Sequence, residues 1–149
     1  ECGVDGLIIP DLPYEEQKEI NAVLAENEAA PILIQLVSPV SKQRIPMIVN
    51  NARGFVYCVS SLGVTGMRSE IKTDIKSIVE TIRKYTDIPV AVGFGISKPE
   101  QAEAMARVSD GAIVGSAIVK IVAEHGEHAD QALFDYVQSM KQAVLKAGA

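Results

Sequence analysis

The stretch that decides the fold is residues 89–120, which read PVAVGFGISKPEQAEAMARVSDGAIVGSAIVK. Two short apolar runs, 89–93 and 111–114, are separated by a segment of helical character, and each run leads into a glycine. Short apolar runs without polar alternation are typical of strands covered on both faces, as in parallel sheets. A strand, a helix and a second strand in this order predict a parallel βαβ unit.

The same unit recurs along the chain. Five strands are predicted, at 6–9, 32–36, 54–59, 89–93 and 111–114, and stretches of helical period follow them. No linker or low-complexity tract divides the 149 residues, so we expect residues 1–149 to form a single domain or part of one.

Helix ends are visible in the sequence as well. Pro13 and the acids after it predict a helix start, Thr73 or Asp74 an N-cap, and Ser97 an N-cap with Glu100 at the capping-box position. The predicted buried faces are Ile20, Val23 and Leu24 in the first helix, Ile75, Ile78, Val79 and Ile82 in a central one, and Leu133, Val137, Met140 and Val144 in the last.

Glycine follows two successive strands, and this pairing indicates a phosphate site. Gly93 and Gly95 lie at the end of the fourth strand, and Gly115 and Ser116 follow the fifth. Backbone amides at such turns and at helix starts bind anions, although either motif alone could be an ordinary turn or an N-cap. The pair matches the phosphate site after strands seven and eight of a TIM (β/α)₈ barrel.

Length fixes how much of such a barrel is present. A whole TIM barrel takes about 250 residues, so 149 residues predict only the C-terminal portion, with five βα units and the first three absent from this chain. Glu1 to Gly6 lead almost directly into the first apolar run, and we expect the segment to belong to a longer protein.

One long irregular segment, 60–72, follows the third strand. Its glycines, serines and threonine are typical of a hinged lid that closes over a substrate, although a loop without a function has the same composition. Asp11 and Tyr57 could each line a pocket, but a turn residue and a core tyrosine are equally good interpretations. The sequence shows no strand end with paired carboxylates, a Cys-His pair or a metal cluster.

Composition excludes several classes of partner. A net charge of −5 and scattered basic residues argue against nucleic acid. Two cysteines without CxxC spacing argue against zinc and redox chemistry, and no apolar stretch has the length of a membrane span. We therefore expect a soluble cytoplasmic protein without metal.

Four segments resemble the tryptophan synthase alpha family in order and spacing. They are 3–13 (GVDGLIIPDLP), 60–66 (SSLGVTG), 92–97 (VGFGIS) and 115–120 (GSAIVK). The resemblance covers nearly the whole chain and implies a lyase that cleaves indole-3-glycerol phosphate to indole and glyceraldehyde 3-phosphate by a retro-aldol reaction. It also implies no cofactor in this chain and a partner beta subunit that holds pyridoxal phosphate, in a heterotetramer.

The resemblance also implies roles for individual residues. The phosphate-binding positions would be Gly66, Gly95, Gly115 and Ser116, with Gly93 shaping the turn, and the indole-pocket wall would be Ile8, Ile34, Tyr57, Phe94 and Ile113. Thr65 resembles a lid residue that supports a catalytic aspartate, and Asp11, Leu12 and Pro13 lie near the beta-subunit contact. The family's catalytic glutamate and aspartate precede Glu1, so the resemblance implies that this chain by itself is inactive.

Three alternatives remain open at this point. The chain could be part of another phosphate-binding barrel of amino-acid biosynthesis, which would share the paired glycine turns but not the Gly-Val-Thr-Gly lid. It could be a complete five-stranded doubly wound binding domain, for which five βα units suffice. It could also be a half-barrel that folds only with its missing strands or as a homo-oligomer, because exposed sheet edges seek partners.

Overall fold

The computed structural model describes residues 3–27, 30–60, 74–93 and 95–148. Strand segments and helices alternate along it. The strands are β1 (Gly6–Leu7), β2 (Ile32–Leu33), β3 (Gln35–Val37), β4 (Val56–Val59), β5 (Val90–Gly93) and β6 (Gly111–Ala112). The helices are α1 (Gln17–Ala25), α2 (Ile45–Val49), α3 (Ile75–Ile82), α4 (Pro99–Ala106), α5 (Ser116–His125) and α6 (Asp130–Ala147), with 3₁₀ turns at Tyr14–Glu16, Pro39–Arg44 and Gly126–His128.

Every strand pair in the described ranges is parallel, and spatial neighbours are consecutive in the chain. β1 pairs with β2, and β3, β4, β5 and β6 pair in that order. A doubly wound domain reverses its strand order at a switch point, whereas a barrel does not. The sequential order therefore contradicts the doubly wound alternative and is that of successive barrel strands.

The predicted strand 32–36 forms two segments that face different neighbours. β2 pairs with β1, the Ile34 amide still donates to the Leu7 carbonyl at 2.9 Å, and β3 then pairs with β4. Strands in a barrel are staggered and tilted, so one strand meets one neighbour early and the other late. The remaining predicted strands are present, but each is shorter than the apolar run from which it was predicted.

The two faces of the sheet differ in burial. On one face Val37, Val56, Cys58, Val90 and Val92 are fully buried in a core with α2 and α3. On the other face a registered row of Leu36, Tyr57, Ala91 and Gly111 is only half-buried. The first face is the helix-covered outside of a barrel, and the second, called here the open face, corresponds to its interior.

Of the three predicted helix faces, that of α3 is confirmed and that of α6 is shifted. Asp74 caps α3 by accepting from the Ser77 amide at 3.1 Å, and all four predicted apolar residues of α3 are buried. In α6 Met140 is buried as predicted, but Val137 is 50% exposed because the inward stripe passes through Tyr136 instead.

The predicted buried face of the first helix is wrong in part. Val23 is 68% exposed, and the buried residue of α1 is Gln17. The inward stripe runs through Gln17, Ile20 and Leu24, which follow helical spacing, whereas Val23 lies well off that stripe. The prediction chose Val23 because it is hydrophobic, whereas position on the helix determines which side chains are buried.

The start of α4 lies one residue beyond the prediction. Lys98 is the N-cap, not Ser97, and the reciprocal side chain belongs to Gln101 instead of Glu100. Gln101 Oε1 accepts from the Ser97 amide at 2.9 Å and from the Lys98 amide at 3.0 Å. Both amides are thereby satisfied by one side chain.

Candidate functional site

The two glycine turns lie at the same edge of the sheet. β5 and β6 are hydrogen-bonded neighbours, with Ala91 opposite Gly111 and Val92 opposite Ala112, and the Ile113 amide donates to the Val92 carbonyl at 2.7 Å. Paired strands are about 4.8 Å apart, and parallel strands end on the same side. The turn that contains Gly95 and the turn that contains Gly115 therefore leave the sheet side by side.

The turn after β5 needs glycine for its backbone conformation. Gly95 has φ of +83°, in a region that side-chain-bearing residues rarely adopt. The next residue, Ile96, is 3% exposed and anchors the turn in a small core with Ala102 and Met140. Gly95 thus lies between the open sheet edge and Ile96, which is fixed in the small core. Phe94 lies outside the described residues.

The turn after β6 opens directly into α5. Gly115 is the N-cap and Ser116 the first helical residue, so the possibility that Ser116 itself caps the helix is not what the structure shows. Both residues are exposed, and a side chain added at Gly115 would meet nothing within 4 Å. The first amides of a helix lack intrahelical partners, and with the helix dipole they favour an anion.

Tyr57 occupies the space that a side chain at Gly93 would need. A Cβ at Gly93 would lie 2.2 Å from Tyr57 Oη and 2.5 Å from Cζ. Gly93 lies inside β5, where its backbone is ordinary, so it is required for the absence of a side chain and not for shaping a turn. Burial raises the pKa of the Tyr57 hydroxyl, so the ring is neutral at physiological pH.

The predicted wall residues share one face but differ in exposure. Side chains alternate along strands, so Ile34, Tyr57, Gly93 and Ile113 all belong to the open face. Ile113 is half-buried, whereas Ile34 is 5% exposed and packs against Gly6 and Gly54. Ile8 lies just beyond β1 and is 45% exposed. Tyr57, Gly93 and Ile113 are therefore the members that meet at the glycine turns.

The segment after β1 is a tight turn. The Leu12 amide donates to the Ile9 carbonyl at 3.3 Å, Asp11 and Pro13 are exposed, and Leu12 is half-buried. Pro13 precedes the 3₁₀ turn that leads into α1. These three residues form an accessible surface on the first strand's carboxyl side, separate from the glycine turns in sequence.

Two more predicted site residues besides Phe94, Thr65 and Gly66, lie outside the described residues, as does most of the predicted lid. Its first residue, Ser60, is 1% exposed, and its amide donates to the Gly93 carbonyl at 2.9 Å. Ser60 therefore lies at the strand edge beside Gly93.

Acid–base and metal chemistry are not evident in the parts of the chain that the structure describes. No group of three or more His, Cys, Asp or Glu residues is placed there to hold a metal ion. Burial raises the pKa of the Cys58 thiol to about 12, so this cysteine is a neutral core residue rather than a nucleophile. Within the same ranges, no helix is both long enough and apolar enough to cross a membrane.

A cleft of about 680 Å³ lies away from the glycine turns. It runs between α1 and the β2–β3 strands and is lined by residues such as Gln17, Asn21, Gln35 and Arg53. Among the predicted site residues that the structure describes, none borders it. The candidate site is an open edge formed by two glycine turns and the start of α5, which is a different kind of feature from an enclosed cavity.

Comparison with known proteins agrees with the geometry. The family model described as tryptophan synthase alpha chain matches residues 1–147. The chain belongs to the tryptophan synthase alpha chain family. It is 53% identical over 142 residues to the tryptophan synthase alpha chain of Lachnospira eligens, covering 95% of this chain and 53% of that relative. It is 48% identical over 147 residues to the alpha chain of Thermoanaerobacter sp., with 97% and 55% covered.

Solved structures give the same family. The alpha chain from Legionella pneumophila aligns with a TM-score of 0.79 at 32% identity, covering 99% of this chain and 54% of that one. A structure described as the tryptophan synthase α2β2 complex of Pyrococcus furiosus aligns with a TM-score of 0.78 at 34% identity, with 94% and 56% covered. The TIM-barrel prediction is confirmed as a partial barrel, and the chain spans about half the length of the alpha-chain relatives it matches.

Proposed function

We propose that residues 1–149 supply the phosphate site and part of the indole-binding wall of a tryptophan synthase alpha chain. The reaction is the retro-aldol cleavage of indole-3-glycerol phosphate to indole and glyceraldehyde 3-phosphate, a carbon–carbon lyase step. The observation that carries the proposal is the pairing of β5 with β6, which sets two glycine turns side by side at one sheet edge.

The phosphate is bound by backbone amides at this edge. Gly95 and the start of α5, at Gly115 and Ser116, lie at the edge where both strands end, and backbone amides at such turns bind anions. Gly66 and Thr65 complete the site from the lid, Gly66 as a further phosphate contact and Thr65 as the support for a catalytic aspartate. Electrostatic attraction favours the dianion because the helix start carries a partial positive charge.

The indole ring lies on the open face. Gly93 leaves room for the Tyr57 ring, which borders the indole with Ile113. By resemblance Phe94 belongs to the same wall, exposed Ile8 adds apolar surface, and buried Ile34 supports the wall from below. Tyr57 contributes as a neutral aromatic group, consistent with its raised pKa.

The catalytic pair comes from elsewhere in the alpha chain. We propose that the glutamate and aspartate of the family reside in the first three βα units, and that residues 1–149 bind and orient the substrate without supplying the acid or base. The alpha chain itself uses no cofactor in this scheme. Its partner is the beta subunit, which holds pyridoxal phosphate, receives indole and contacts the segment from Asp11 to Pro13, and the α2β2 assembly works in the cytoplasm.

A charge substitution at Gly115 tests the phosphate site in a full-length alpha chain that contains these residues. A side chain here enters open space, so Gly115→Asp and Gly115→Asn differ in charge and not in fit. Both residues are good N-caps, so the fold is retained.

We expect Gly115→Asp to raise the KM for indole-3-glycerol phosphate at least about tenfold over Gly115→Asn, because like charges repel strongly at such distances. Equal KM values for the two variants would show that the phosphate does not bind at this turn. Absence of indole release by the unmodified alpha chain would overturn the lyase assignment itself.

A further inference from the structure

The last helix reaches the turn that follows β5. Tyr136 Oη, in the middle of α6, donates a hydrogen bond to the Ser97 carbonyl at 3.0 Å across 39 residues of sequence. The contact is part-buried, and burial raises the pKa of the Tyr136 hydroxyl, which stays protonated as a donor at physiological pH. Tyr136 also packs against the small core formed by Ile96, Ala102 and Met140.

The same turn is held from its other side by α4. Gln101 Oε1 accepts from the Ser97 and Lys98 amides, at 2.9 and 3.0 Å. The two peptide units that flank Ser97 are therefore fixed through their N–H groups by Gln101 and through the Ser97 carbonyl by Tyr136. These groups are two residues from Gly95, whose backbone conformation depends on the orientation of the peptide units that follow it.

We propose that Tyr136 is a positioning residue for the phosphate-binding turn, acting through Ser97 and not by touching the substrate. The inference rests on the proposed function, since it assigns the Gly95 turn to phosphate binding. A turn whose carbonyl is anchored presents its amides in one direction, and binding then costs less ordering. Loss of the hydroxyl leaves the ring and its packing in place but releases the carbonyl.

The test uses the full-length alpha chain with Tyr136→Phe, and Tyr85→Phe as the matched control. Tyr85 is 50% exposed and follows α3. Inhibition constants are measured for inorganic phosphate and for indole as separate probes, with KM, kcat and the thermal midpoint. We expect Tyr136→Phe to weaken phosphate binding and raise KM by about three- to tenfold, the range of one hydrogen bond. Indole affinity and kcat should stay within about twofold, and Tyr85→Phe should match the unmodified chain.

A second variant guards against a folding artefact. Gln101→Met releases the Ser97 and Lys98 amides, and we expect the same selective loss of phosphate affinity. Equal weakening of phosphate and indole by Tyr136→Phe, or no change in either, would overturn the positioning role. If inorganic phosphate does not inhibit the unmodified alpha chain, the proposed phosphate site itself is wrong. This outcome can be told apart from failure of the positioning role because it is measured without any variant.

Discussion

The contact between Gly93 and Tyr57 can be tested by adding a single methyl group. In Gly93→Ala the new Cβ would lie 2.2 Å from Tyr57 Oη, 2.5 Å from Cζ and 2.7 Å from Cε1. Ordinary van der Waals contact begins at 3.4 Å, so the ring must retreat by about 1.2 Å. Overpacking of this kind costs about 1–3 kcal/mol. We expect urea denaturation of the full-length alpha chain to show a loss of that size.

A double-mutant cycle with Tyr57→Ala isolates the clash. Once the ring is removed, Gly93→Ala should cost at least about 1 kcal/mol less than it does alone, because its obstacle is gone. Gly111→Ala is the control on the neighbouring strand, since its Cβ would meet only Ala91 Cβ at 3.9 Å. Additive effects in the cycle, within about 0.5 kcal/mol, would refute the steric reasoning.

Three further predictions follow from other contacts. Gly95→Ala forces a side chain to φ of +83° and should destabilise the fold by about 1–3 kcal/mol and raise KM for the phosphorylated substrate, measured by urea titration and steady-state kinetics. Asp110→Ala removes the acceptor of the Val90 amide, which lies at 2.8 Å, and should lower the free energy of unfolding by about 1–3 kcal/mol. Arg83→Ala removes only an exposed ion pair and should lower it by less than about 1 kcal/mol. Equal losses for the two variants would contradict this. Burial raises the pKa of the Cys58 thiol from its ordinary value of 9.0 to about 12, so its contribution to stability is present below pH 9 and lost as pH rises towards 12. The stability difference from Cys58→Ala, measured by urea titration, should shrink by up to about 1.4 kcal/mol per pH unit in that window, and a flat difference would refute it.

The sequence predicted the strands and one helix start because those signals are local. Apolar runs located β4, β5 and β6. Thr73 or Asp74 was predicted as a cap from its place before four apolar residues at helical spacing, and Asp74 is the cap that the structure shows. The sequential order of strands then followed from the barrel interpretation of the glycine turns. The strands and the helix cap depend on residues close together in the chain, so they can be predicted from a single sequence.

Contacts between distant residues were not predicted. Tyr57 and Gly93 meet because β4 and β5 are in parallel register, and no pattern within either strand states that register. The bond from Tyr136 to Ser97 joins elements 39 residues apart, and the sequence showed only an amphipathic helix there. The buried side of α1 was predicted only in part: Ile20 and Leu24 belong to it, but Gln17 is polar and was not expected to be buried.

In the registered row Leu36, Tyr57, Ala91 and Gly111, the two large side chains come first and the two small residues follow. The bulk stands over β3 and β4, and a shallow step is left over β5 and β6, the two strands that end in the glycine turns. If the proposed site is right, a flat ring resting on that step would be directed by its shape towards the edge that holds the two glycine turns. Leucine in place of Ala91 would level the step, altering which aromatic groups fit while leaving every backbone amide at the edge untouched.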